Sequence, residues 1–177
     1  MSKTNGQMGA SPVGSVLAGL VAGAIGTVVM DAFLYRRYRA EGGRSAPMAW
    51  ETAAGLKDFK EAPVPAQVGK RLAEAYLQRE LPPTTARLVT NVMHWGYGTA
   101  WGGLYGLLVG SGRSRSALLG LPFGAVVWGT DYAVLPLGKF YKPIWQYDVP
   151  TLWKDLTAHF VYGLGTAVAF AVLDARR

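Results

Sequence analysis

Four long apolar runs set the terms for this chain. They lie at 13–34, 88–110, 117–137 and 156–173. About 20 residues rising ~1.5 Å each cross a hydrocarbon layer of ~30 Å, and each run has or approaches that length. A soluble chain of 177 residues would spread its apolar residues more periodically. The pattern predicts an all-α fold: a four-helix transmembrane bundle forming one domain over 13–177, preceded by a disordered polar tail at 1–12. The first run is too long for a signal-peptide core. No clear small-x-small cleavage site follows it before Arg36, so it reads as a retained span.

The segment 40–87 separates the first two runs and carries much of the charge. Gly42-Gly43, Pro47, Pro63 and Pro65 break it, leaving room for a short helix within 48–60. Residues 66–81 read as an amphipathic helix with Val68, Leu72, Ala75 and Tyr76 on one side, stopped by Pro82-Pro83. Such a helix lies in the lipid interface, caps the bundle, or docks a partner. The net charge is +7. Most basic residues flank the apolar runs, where anionic headgroups account for them without nucleic acid. With no cysteine, the chain has no disulfide and no thiolate metal site.

The second run is the most informative. His94 opens a stretch to Gly110 with no Asp, Glu, Lys or Arg, and Gly98, Gly102, Gly106 and Gly110 recur every fourth residue. Small residues at that spacing let helix backbones approach closely in lipid. In the first run Gly19 and Gly23 form a similar pair, with Gly26 nearby. The fourth run repeats the theme, with His159, Tyr162 and Gly163 matching His94, Tyr97 and Gly98. Asp31 closes the first run as Asp131 closes the third. The sequence thus suggests two helical hairpins of one plan, the first carrying the 40–87 insertion. In an antiparallel bundle, late in one helix and early in the next is the same side. Asp31, His94, Asp131 and His159 should therefore lie at similar depth, with Tyr97 and Tyr162 one turn deeper. The loops on that side carry 13 Lys and Arg, ten in 36–87 and three in 139–154, against five elsewhere. The positive-inside rule puts the polar cluster on the cytoplasmic side and both termini outside.

Several stretches resemble the YagU-like family of bacterial inner-membrane proteins: PVPAQVGKRLAE, NVMHWGYGTAWGGLYGLL, YKPIWQYD and KDLTAHFVYGLG. The resemblance runs from the first span to the fourth. It implies a bacterial multi-pass inner-membrane protein and supplies no catalytic or binding residue.

Several functions fit the cluster Asp31, His94, Tyr97, Asp131, His159 and Tyr162. On one reading, hydrogen bonds among these residues fix the register of the helices and do nothing more. As ionisable groups in apolar helices they also suit a proton- or cation-responsive transport protein. A thin four-helix bundle would then form a pore more readily as a homo-oligomer, with the glycine row as packing face. Two histidines at one depth could instead hold a b-type haem. A zinc site would need both histidines with Asp31 and Asp131. An accessory or scaffold role through 40–87 is also open. Enzymatic chemistry finds little support, since no G-x-S-x-G elbow, phosphate loop or H-E-x-x-H occurs.

Overall fold

A computed structural model describes residues 11–110 and 116–174. The tail at 1–10 and most of the short loop holding Arg113 and Arg115 lie outside the described residues. Every regular element among those described is helical: α1 (Pro12–Ala40), α2 (Pro47–Glu51), α3 (Val64–Leu77), α4 (Ala86–Val109), α5 (Gly120–Val134) and α6 (Val149–Asp174), with short 3-10 turns between them. Among the described residues, three stretches are long and apolar enough to cross a membrane: Pro12–Ala40, Ala117–Val134 and Val149–Asp174.

Local chemistry sets the helix ends. Ser11 caps α1 by accepting the Gly14 N–H, and Pro12 sits where its missing N–H costs nothing. The helix runs past residue 34 to Ala40, with Arg37 and Arg39 in the last turn, where a cation suits the helix C-terminus. The amphipathic helix stops at Leu77 instead of 81. Gln78 takes a left-handed conformation, and Glu74 reaches past the helix end to accept the Leu81 N–H. The short helix expected within 48–60 covers only Pro47–Glu51. At the other end of the chain, α6 starts at Val149 rather than 156, because Asp148 accepts both the N–H and the hydroxyl of Thr151. Lys154 and Asp155 therefore sit inside the helix.

Packing follows the small residues. The backbones line up as an open arc, α4–α1–α6–α5, with α1 against both α4 and α6, and α5 against α6. A Cβ at Gly23 would collide with Gly98 O and Gly102 Cα, and one at Gly102 with Gly23 Cα and Gly19 O. One at Gly106 would meet Ser15 O and Gly19 Cα. In the second pair, Gly163 lies against Gly120 O and Gly124 N. Gly98 differs, since its neighbour is the side-chain hydroxyl of Thr27. The glycine row thus packs against α1 within the chain. Apart from a few aromatic residues such as Tyr105 and Phe170, the interior is built mainly of small residues, and most aliphatic side chains face outward. Ser15, Ala18, Ala22, Thr27, Thr166 and Ala167 are buried, while Val13, Leu17, Val21, Leu104, Leu108, Val126 and Val172 face outward. That arrangement suits lipid as the surrounding solvent.

The α3 face also differs from the sequence reading. Ala66 and Gly69 are its buried residues, and Gly69 packs on Val89 and Met93 of α4. Leu72 and Tyr76 are 63% and 88% exposed, so this part of the apolar stripe faces away from the bundle, while Val68 turns inward. Arg71 ties α3 to the α5–α6 connection by donating to Gly138 O, with its guanidinium 4.2 Å from the Phe140 ring centroid.

Candidate functional site

The four ionisable residues singled out above form two Asp–His pairs, one in each hairpin. Asp31 on α1 is 6% exposed, and both its carboxylate oxygens lie 2.9–3.0 Å from His94 Nε2 on α4. Asp131 on α5 lies 3.5 Å from His159 Nε2 on α6. The tyrosines one turn on join the hairpins. The Tyr97 hydroxyl donates to Asp131 Oδ1 at 2.6 Å, and the Tyr162 hydroxyl donates to Gly98 O at 2.6 Å. His94, Tyr97, Asp131, His159 and Tyr162 line one cavity of about 210 Å³. Pro65, Val68 and Tyr141 complete its wall on the side of the loops. The cavity exists because α4 and α5 keep their backbones apart. Farther along they touch through Trp101, Tyr105 and Phe123.

His159 is held so that its protonation is tied to that of Asp131. Its Nδ1 lies 2.9 Å from the Asp155 carbonyl oxygen, one helical turn back. A carbonyl can only accept, so Nδ1 carries a hydrogen. Neutral His159 then turns the Nε2 lone pair toward Asp131, and an ionised carboxylate there would face it oxygen to lone pair. The contact is attractive only with one proton between them, on either the imidazole or the carboxyl. A proton shared across this contact would join the two side chains. Above it, Tyr141 sits in the α5–α6 connection. Burial first, then the Asp155 and Asp131 carboxylates, push its hydroxyl up to about 12, so it remains a donor at neutral pH.

The two hairpins differ in their second carboxylate, and the sequence reading missed both. Asp155 stands 3.6 Å from His159 Nδ1, on the opposite edge of the ring from Asp131. In the first hairpin the added group is Glu51, at the end of α2. Arg87 holds the segment after it by donating to Thr52 O and Oγ1, and Asn91 also donates to Thr52 O. Trp50 packs on Tyr35 and Tyr38. Glu51 is thereby set over the Asp31–His94 pair. Burial, and then the facing Asp31 charge, hold its carboxyl above the ordinary value. The only local sequence signal was a Trp-Glu pair after a helix-starting proline.

A bis-histidine haem fits this arrangement poorly. Each Nε2 already faces a carboxylate. Ligating an iron with both would strip Asp31 and Asp131 of their imidazole partners in a largely apolar setting. The zinc set of both histidines with Asp31 and Asp131 is likewise not what converges, because each histidine faces the aspartate of its own hairpin. Comparison with protein-family models, curated proteins and solved structures finds no match.

Proposed function

We propose that this chain is a four-span membrane protein that couples protonation of its Asp/His cluster to movement of a proton or small cation through the adjoining cavity. The observation that carries this reading is the His159–Asp131 pair. Its imidazole lies between the Asp155 carbonyl and the Asp131 carboxylate, it lines the cavity, and Tyr97 links it to the first hairpin. Ionisable groups placed this way in apolar helices are the usual material of proton relays.

The fourth span in this reading is α4. Arg87, Asn91 and His94 lower the apolarity of its first half, but Leu88, Val92, Leu104, Leu107 and Leu108 face outward along its length. The resemblance to the YagU-like family supports a bacterial inner membrane, and the loop charges support a cytoplasmic position for the cluster. The exposed Leu72 and Tyr76 support α3 lying in the lipid interface on that side.

Asp131→Asn is the decisive variant. An asparagine can donate to His159 Nε2 and accept from Tyr97, so the contacts survive while the exchangeable proton is lost. In proteoliposomes loaded with a pH-sensitive dye, wild type should pass protons down an imposed gradient. D131N and H159A should reduce that flux at least about tenfold. Flux absent from wild type under any gradient, or unchanged in both variants, would refute the proposal.

A further inference from the structure

We infer that Asp31, Glu51 and His94 form a binding site for a divalent transition-metal cation, with Zn²⁺ the first choice. One ligand atom from each residue lies within 4.8 Å of the other two. Around a tetrahedral ion with bonds of ~2.0–2.2 Å, ligand atoms sit roughly 3.3–3.6 Å apart. Small side-chain movements close that difference. The residues come from α1, the end of α2 and α4, so the fold itself assembles the set.

Three further observations point to a cation. Glu51 Oε1 is shut off from solvent and has no hydrogen-bond partner among the described residues. The cavity onto which all three residues open, about 230 Å³, is lined by no Lys or Arg. Two carboxylates and an imidazole thus converge on one cavity with no fixed cation of the protein beside them, and a divalent ion would satisfy all three. The second hairpin supplies a contrast. There Asp131 and Asp155 approach opposite edges of the His159 ring and cannot share an ion. Convergence arises only where the long connection delivers Glu51.

Two carboxylates and one imidazole suit Zn²⁺ or Mn²⁺ better than copper(I), which prefers sulfur, or Ca²⁺, which prefers an all-oxygen shell. Thr90 and Asn91 also line the cavity, which has room for water to complete the coordination. His94 lines both cavities, but metal binding is read without any flux, so the site can stand or fail independently of the transport reading.

The test uses the full chain in detergent, stripped with a chelator and titrated with Zn²⁺, with bound metal counted by elemental analysis. One Zn²⁺ per chain is expected. E51Q and H94A should weaken binding at least about tenfold. E61Q, an exposed carboxylate outside the site, should not. Because H94A also strips Asp31 of its partner, E51Q is the cleaner variant. Co²⁺ gives a second readout, as visible d–d absorption present in wild type and absent in E51Q. Zn²⁺ lost in E51Q while proton flux persists would support the site whatever becomes of the transport reading. No bound Zn²⁺, or binding indifferent to both E51Q and H94A, overturns it.

Discussion

Replacing Tyr97 by Phe removes one oxygen and leaves Asp131 Oδ1 without its donor from the other hairpin. Interhelical hydrogen bonds in membranes average about 0.6 kcal/mol and reach about 1.7. Y97F should fall toward the upper end, because its acceptor is a carboxylate. Unfolding in mixed micelles with rising SDS measures this, and a cost indistinguishable from zero would show that the link is not made. Residues of this kind were legible in the sequence because a charge inside an apolar run stands out. Asp31, His94, Asp131 and His159 were found that way. Glu51 was not. It sits in a segment full of carboxylates, and its selection depends on Arg87 and Asn91 reaching the Thr52 carbonyl 35 and 39 residues away. Asp155 was missed for a simpler reason. Its helix starts seven residues earlier than the apolar run, so it read as part of a connection.

At the scale of elements, two glycines of one helix have opposite roles. Gly102 lies against the α1 backbone, whereas a Cβ on Gly96 meets nothing within 4 Å. Overpacking costs about 1–3 kcal/mol where side chains can yield, and here the obstacle is backbone. G102L should therefore lose about 3 kcal/mol or more, or separate α1 from α4. G96A should be neutral or gain up to about 1 kcal/mol from helix propensity. Thermal unfolding of the purified variants separates the two, and equal effects would mean that the α1–α4 seam lies elsewhere. The four-residue glycine period made this seam visible in the sequence. The faces of α3 were less legible. Its apolar positions are real, but the residues packed on α4 are the small ones, and a small residue gives no hydropathy signal.

For the whole molecule, the outward-facing aliphatic surface makes a prediction about its solvent. The chain has no cysteine, so each introduced one is a unique label site. A fluorophore on Val21→Cys or Leu108→Cys should be quenched strongly by lipids carrying a quencher in the acyl chain. One on Tyr76→Cys should respond to a quencher near the headgroups. Weak quenching at 21 and 108 with full access to a water-soluble quencher would remove the membrane from the account. The bundle and its polar end were legible because lipid imposes a coarse, length-based pattern. The order of helices around the bundle was not, since nothing in a hydropathy profile says which neighbours touch.

That order gives the molecule the mechanics of a book. The α1–α6 seam is the spine, and α4 and α5 are the covers. Among the described residues, little backbone contact clasps the covers. Aromatic rings hold them along one half, and a single phenol-to-carboxylate bond latches them along the other. Were the covers to part, the cavity would widen first at the latched end, where the fewest atoms hold them, while the spine stayed shut.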